Sequence, residues 1–378
     1  MSILLETLLK KAFQEEPLSR EEVLYLFRLK EEDKQEKLFE VARKLRHRYF
    51  GEQIFLYGFI YFSTWCRNDC TFCYYRASNR LCLRYRKTDE QVLEASTNLA
   101  ESGVHLLDLT MGEDPFYFQK KRGVNPLLNV LKEVKRETSL PIMISCGVWP
   151  DEVLDELAEY GADWFACYQE THNPILFQTL RLRQNYDRRL LIKRRAVQAG
   201  MLIEEGILSG VGESLDDVAD SILIMKQMNP HQARVMNFVP QRGTPMGSFP
   251  SPHPSREQII LAVLRLILPH RLIPASLDVN GIHGLKAKLQ AGANVVTSLI
   301  PPSSGLKGVA QSELGISEGQ RTVKAIMPIL EGLGLKKASI GNYLAWMNRE
   351  KCGLPNRFSF FEDFSIEGGY CWGKIARS

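Results

Sequence analysis

With 378 residues, 44% hydrophobic and 24% charged content and a formal net charge of +4, the chain has the composition of an ordinary globular protein. The small positive excess gives no reason to expect nucleic acid as a partner. No uncharged run is long enough to span a membrane, and Met1 to Glu16 carries acidic residues inside its apolar pattern, so it does not read as a signal peptide. Eight cysteines in this length do not make a disulfide scaffold. The clustered ones read as metal ligands in a reducing compartment, and a cytoplasmic protein is expected.

Residues 1–52 read as an N-terminal helical layer that closes an end of the fold. Ser19 followed by Glu22 is a capping-box pattern, and Leu38, Val41, Ala42 and Leu45 recur at helical period. From residue 53 short apolar runs alternate with amphipathic stretches. The runs are Phe55 to Phe62, Leu106 to Met111, Pro141 to Ser145, Trp164 to Gln169, Leu202 to Leu208, Ala233 to Val239, Leu272 to Asp278 and Val295 to Ile300. Gly103, Gly161, Gly200 and Gly292 stand where C-cap glycines end the intervening helices. This is the pattern of an α/β protein with a (βα)8 TIM-type barrel over 53–335, whose working residues stand at the carboxyl ends of the strands. Residues 336–378 form a C-terminal tail rich in aromatics, expected to pack on the barrel, with Cys352 and Cys371 read as structural.

The first run leads into Cys66, Cys70 and Cys73 at CxxxCxxC spacing. Three thiolates can hold an iron–sulfur cluster on three of its four irons and leave the fourth open to another ligand. A closed zinc site would need a fourth Cys or His, and the nearest extra cysteine, Cys82, has no partner at finger spacing. Trp65 and Arg67 flank the triplet without an assigned role. Further strand ends carry Gly112-Glu113, Ser145, Gln169-Glu170 and Gly206-Ile207-Leu208-Ser209-Gly210-Val211-Gly212-Glu213. The basic stretch Arg181 to Arg195 reads mainly as a solvated helix face, with Arg189 singled out.

Asp108, Arg234, Ser276 and Asp278 are polar positions in otherwise apolar runs. Facing one cavity, two acids, a guanidinium and a hydroxyl would suit a small zwitterion, with Arg for a carboxylate and Asp for an ammonium. An Arg–Asp bridge between strands six and seven explains the same residues structurally, and the sequence leaves both open.

The triplet with Phe72 in third-cysteine approach, CxxxCxΦC, resembles the signature of the radical S-adenosylmethionine (SAM) enzymes. Together with Tyr61 to Tyr75, Asp108 to Pro115, Tyr168 to Thr171 and Arg271 to Asp278, it resembles the methylornithine synthase family of pyrrolysine biosynthesis, in the biotin-synthase-like branch, over roughly residues 35–335. The resemblance implies an isomerase that converts L-lysine to (3R)-3-methyl-D-ornithine through a 5′-deoxyadenosyl radical. It implies a 4Fe–4S cluster on Cys66, Cys70 and Cys73, and SAM held by Phe72, Tyr75, Gly112, Glu113, Ser145, Gln169, Glu170, Arg189, Arg195 and Gly210. Asp108, Arg234, Ser276 and Asp278 would hold lysine. It further implies a low-potential electron donor such as a flavodoxin or ferredoxin, with no nucleic-acid or membrane partner. A relative in the same branch, acting on another small amino acid or in metallocofactor maturation, would share the cluster and SAM residues without needing the substrate set.

Overall fold

The computed structural model describes residues 2–119, 123–301 and 321–353. Three helices come first, α1 (Ser2–Phe13), α2 (Arg20–Phe27) and α3 (Glu32–Phe50). The Glu22 N–H donates to Ser19 Oγ and the Glu22 carboxylate accepts from the Ser19 N–H, so the capping box is formed in full. A βα series follows: β1 (Gln53–Ser63), α4 (Asp89–Ser102), β2 (Leu106–Met111), α5 (Asn125–Thr138), β3 (Ile142–Ser145), α6 (Asp151–Glu159) and β4 (Ala162–Ala166). It continues through α7 (Pro174–Leu180), α8 (Tyr186–Gln198), β5 (Leu202–Ser209), α9 (Leu215–Met228), β6 (Gln232–Asn237), α10 (Pro254–Ile267), β7 (Pro274–Ser276), α11 (Leu285–Gln290) and β8 (Val295–Leu299). The chain ends its described part with α12 (Val323–Gly332), β9 (Lys336–Lys337) and α13 (Ile340–Cys352).

The eight expected strands pair in parallel in the order β6-β5-β4-β3-β2-β1-β8-β7. Between β6 and β7 the ring is bridged just ahead of β7, where the Ala233 N–H donates to the Leu272 carbonyl at 3.0 Å and the Leu272 N–H to the His231 carbonyl at 3.1 Å. Gly103, Gly161, Gly200 and Gly292 all take positive φ, between 86° and 110°, as the helix-ending pattern requires. One strand is shorter than its apolar run suggests. β4 stops at Ala166, and the chain swings out and returns at Glu170, which bridges to Ile207 of β5 with φ of 67°.

The helical layers exchange the expected roles. α2 and α3 lie along the outside of the barrel on α9, α10 and α11. Arg20 pairs with Asp216 at 2.8 Å and Asp220 at 2.6 Å, and the Arg46 guanidinium donates to the Leu289 and Ala293 carbonyls. The amino-terminal mouth is closed instead by α13. Trp346 stacks on Trp164 with centroids 5.9 Å apart, and Tyr343 meets Phe55 and shares a 2.9 Å hydroxyl bond with Tyr57. His105 accepts the Leu56 N–H on Nδ1, so its Nε2 carries the proton and donates to the Ala338 carbonyl at 2.9 Å. Cys371 and the aromatics from Phe358 to Trp372 lie outside the described residues.

The plug buries large aromatic surface against β1, β4 and His105 ahead of β2. We therefore expect Trp346→Ala to cost about 3–5 kcal/mol in urea unfolding; a loss below about 1 kcal/mol would show that α13 is only loosely docked.

Candidate active site

β1 delivers a loop without regular structure, and its polar backbone needs partners. Arg84 supplies many of them: its guanidinium donates to the carbonyls of Thr64, of Tyr75 at 3.0 Å, of Arg76 at 2.6 Å and of Asn79 at 3.2 Å. The buried Asp114 carboxylate, just after β2, accepts from Ser63 Oγ at 2.5 Å and from two nitrogens of Arg86 at 2.8 Å, which binds both ends of the loop to β2. Gly112 makes this approach possible, since a Cβ there would stand 2.7 Å from Cys66 Cβ and 2.9 Å from the Trp65 carbonyl oxygen.

Cys66, Cys70 and Cys73 thereby face one cavity at the carboxyl end of the barrel. Burial pushes the Cys66 thiol up to about 11, and burial plus the neighbouring Cys70 and Cys66 sulfurs pushes Cys73 higher still. Cys70 Sγ accepts from Gln184 Nε2 at 3.0 Å and Arg181 Nη1 at 3.6 Å, and Cys66 Sγ accepts from the Asn68 N–H at 3.4 Å. Among the described residues no three of His, Cys, Asp or Glu close on one metal ion. Buried soft sulfurs with N–H donors, spread wider than a mononuclear shell, fit a polynuclear iron–sulfur centre that supplies the missing positive charge.

The cavity has a volume of about 220 Å³ and is also lined by Phe72, Asp108, Gly112, Glu113, Ser145, Glu170, Arg189, Arg234 and Asp278. Most of its charges are paired. Glu113 accepts from Arg67 at 2.8 Å, Glu170 from Arg181 at 2.5 Å, and Asp278 from Arg321 at 3.0 Å. Arg234 donates through Nε to Glu204 at 2.6 Å and through Nη1 to Thr297 at 3.1 Å, while the Tyr168 hydroxyl donates to the other Glu204 oxygen at 2.9 Å. Two charges have no opposite partner within ion-pair reach among the described residues. Asp108 is buried with Oδ1 accepting no hydrogen bond, and Arg189 donates to the Tyr168 carbonyl at 2.7 Å and to Gln184. Burial pushes the Asp108 carboxyl up to about 7. The Ser145 hydroxyl and Arg234 pull it down, and Glu204 and Asp278 push it up.

The bridge between strands six and seven is not formed: Arg234 of β6 turns to Glu204 of β5, and Asp278 turns to Arg321. Ser276 sits behind Asp278, donating to its carboxylate at 3.3 Å, and does not line the cavity. Tyr75 packs behind the cysteine loop against Tyr61 with ring centroids 4.9 Å apart. Gln169 is fully buried and bonds to the Tyr186 carbonyl and Lys193. Gly210 lies outside the cavity and gives its N–H to Glu213 at 2.8 Å, so this motif closes its own turn. Arg195 is outside as well, paired with Asp155. The basic stretch held a residue the sequence reading passed over: Arg181 is 7% exposed and bonds both Cys70 and Glu170. Glu204, Tyr168 and Gln184 were also passed over. Only Glu204, an acid inside an apolar run, carried a visible signal.

A cysteine triplet at the carboxyl mouth of a parallel barrel defines a radical SAM protein, and residues 60–224 match the sequence model of the radical SAM superfamily. The chain is 44% identical over 321 residues to the 3-methylornithine synthase of Methanosarcina acetivorans, covering 85% of this chain and 91% of that protein. It is 29% identical over 271 residues to the FeFe-hydrogenase maturase subunit HydE of Thermotoga maritima, covering 71% and 76%. A crystal structure of methylornithine synthase superposes with a TM-score of 0.85 at 41% identity, covering 90% of this chain and 99% of that one. The chain belongs to the 3-methylornithine synthase family, and membership implies a 4Fe–4S cluster and SAM. No helix among the described residues is long and apolar enough to cross a membrane.

Two outcomes are expected. Gly112→Ala should cut iron and sulfide incorporation during anaerobic reconstitution at least five-fold with unchanged far-ultraviolet circular dichroism; full loading would mean that the loop tolerates the clash. For Asp108, the native protein keeps its proton to about pH 7 while the unfolded chain releases it near 3.8. The native state therefore binds more protons across that window, and the ligand-free protein loses stability as pH rises from about 4 to 7. Asp108→Asn should remove this fall and stabilise the protein at pH 8 by roughly 2–4 kcal/mol in urea titrations; identical pH slopes in both proteins would contradict the unpaired carboxyl.

Proposed function

We propose that the protein is a radical SAM mutase that converts L-lysine to (3R)-3-methyl-D-ornithine, the first step of pyrrolysine biosynthesis. The observation that carries this reading is the combination, in one cavity beside the cysteine triad, of the unpartnered Asp108 carboxyl with the Arg234 guanidinium. An α-amino acid brings an ammonium for the first and a carboxylate for the second.

Cys66, Cys70 and Cys73 would hold the cluster, which with SAM would supply the radical chemistry that the lysine side chain needs. The chain's own residues do the rest. Glu204 and Thr297 fix Nε and Nη1 of Arg234, which leaves Nη2 for the substrate carboxylate. Asp108 receives the α-ammonium, and the new ion pair holds it ionised at neutral pH. Asp278, oriented by Ser276, Ser298 at 2.6 Å and Arg321, borders the same space. At the cofactor end, Arg189 would hold the SAM carboxylate, and Glu170 with the Gly112-Glu113 backbone would hold its ribose and ammonium. Phe59, Met111, Leu208 and Met236 give the cavity an apolar wall that limits the entry of solvent. Holding both α-substituents keeps the fragments of the broken skeleton together until they rejoin, so the clamp contributes to turnover as well as to binding.

The test is an anaerobic incubation of the reconstituted protein with SAM, a reductant and isotopically labelled L-lysine. A product of lysine's mass and different retention supports the mutase; 5′-deoxyadenosine release with lysine unchanged would move the substrate to another amino acid. Arg234→Lys keeps the charge and loses the fork. Lysine turnover should fall at least 100-fold with substrate-free SAM cleavage within about three-fold, and equal falls would make Arg234 structural.

A further inference from the structure

The loop between β1 and α4 exposes apolar side chains that the cavity does not use. Trp65, Leu81 and Leu83 are 44%, 58% and 68% exposed, and none lines the cavity. All three sit beside the cysteines. Trp65 precedes Cys66, the hydroxyl of Tyr74, next to Cys73, donates to the Leu81 carbonyl at 3.1 Å, and Thr64 Oγ1 donates to the Leu83 carbonyl at 2.9 Å. A single exposed leucine needs no explanation, but three large apolar side chains on one loop around a metal-binding triplet do.

Charge gathers on the same loop. From Trp65 to Arg86 there are five arginines against one aspartate, a balance of +4 that equals the net charge of the whole chain. Glu113 and Asp114 neutralise Arg67 and Arg86, and the buried Arg76 takes Asp69. Two of the loop's cations remain uncompensated, and Arg183, from the turn between α7 and α8, adds a third beside them. Arg80 is exposed with no anion in reach among the described residues, and Arg84 meets only carbonyl oxygens and the face of Trp65. Arg183, with its side chain 83% exposed, stands 3.7 Å from the Asp69 carboxylate that Arg76 already occupies. An apolar centre with a basic rim is the complement of an acidic protein surface, and a rim of this kind speeds encounter without demanding high affinity.

We propose that this face, Trp65, Leu81 and Leu83 with Arg80, Arg84 and Arg183, docks an acidic one-electron carrier protein of the flavodoxin or ferredoxin class. One electron leaves the reduced carrier and enters the oxidised cluster on the triad; no bond is made or broken and no proton moves. The proposal rests on the radical SAM reading above.

Arg80→Glu and Leu83→Ser test it, with Lys44→Glu on α3 as a control of equal charge change at a distant exposed position. The probe is a flavodoxin of net negative charge. Its Kd for the reconstituted protein is measured by calorimetry at low salt, and cluster reduction by its hydroquinone is followed by stopped flow. Dithionite-driven 5′-deoxyadenosine formation is measured alongside. Arg80→Glu should weaken Kd at least five-fold and Leu83→Ser about three-fold, with matching losses in the second-order reduction rate. Lys44→Glu should change either by less than two-fold, and dithionite-driven rates should stay within two-fold throughout. Unchanged Kd in both loop variants, or an equal loss in Lys44→Glu, overturns the docking face. Absent dithionite-driven cleavage in the unaltered protein would instead overturn the radical SAM reading, while the calorimetric comparison still decides whether the face binds the carrier.

Discussion

A carboxyl group inside a barrel with no ion-pair partner of its own is an expensive arrangement, because desolvation opposes its charge and a hydroxyl and a guanidinium engaged elsewhere repay only part of the cost. Asp108 is in that position, and the surrounding residues keep it there. The guanidinium of Arg234 is drawn away by Glu204, which the Tyr168 hydroxyl just after β4 holds in place, and by Thr297 of β8. Arg321 does the same for Asp278. Among the described residues every cavity acid except Asp108 is thus paired with a cation, and under the proposed function the ammonium of an amino acid would pair with the exception. In the function proposed here, the buried charge that costs the barrel stability is the one that would recognise the substrate.

The cysteine loop follows a related logic. It is long and lacks regular structure, so its placement depends on a few side chains that gather its carbonyls, chiefly Arg84, and on the anchor at Asp114. Gly112 lets the loop come within contact distance of β2. Arg181 then ties the triad to the barrel by bonding Cys70 and Glu170 at once. Glu170 holds a left-handed backbone conformation that only a surrounding network would maintain in a non-glycine residue. Its N–H donates to the Gly206 carbonyl and its carbonyl accepts from Leu208, so β5 supports it. Cofactor end and substrate end therefore share the β4–β5 edge, where Tyr168 and Glu204 meet the Arg234 side and Glu170 meets the cysteines.

Much of this was legible in the sequence for identifiable reasons. Parallel strands buried on both faces appear as apolar runs, and four of the eight follow a C-cap glycine. The cysteine spacing and Ser19–Glu22 are local patterns whose geometry is fixed within one turn or loop. The end of β4 was not legible, because Trp164 to Gln169 is apolar enough to continue and the break at Glu170 is imposed by β5. Arg181 looked like its solvated neighbours; only the turn before α8 brings it inward. Arg195, three turns further along, faces Asp155 on the outside. The exchange of roles between α3 and α13 is set by tertiary packing, with Trp346 of α13 on Trp164, and nothing local in either helix states it.

The most direct measurement is calorimetric titration of the SAM-loaded, reconstituted protein with L-lysine, 6-aminohexanoate and cadaverine under anaerobic conditions. The first carries both α-substituents, the second lacks the α-ammonium and the third lacks the carboxylate. If Asp108 and Arg234 form the clamp, lysine binds and each analogue binds at least 30-fold more weakly, with the penalty for 6-aminohexanoate nearly abolished in Asp108→Asn. Equal binding of lysine and 6-aminohexanoate by the unaltered protein would contradict the assignment of the buried carboxyl to the substrate ammonium.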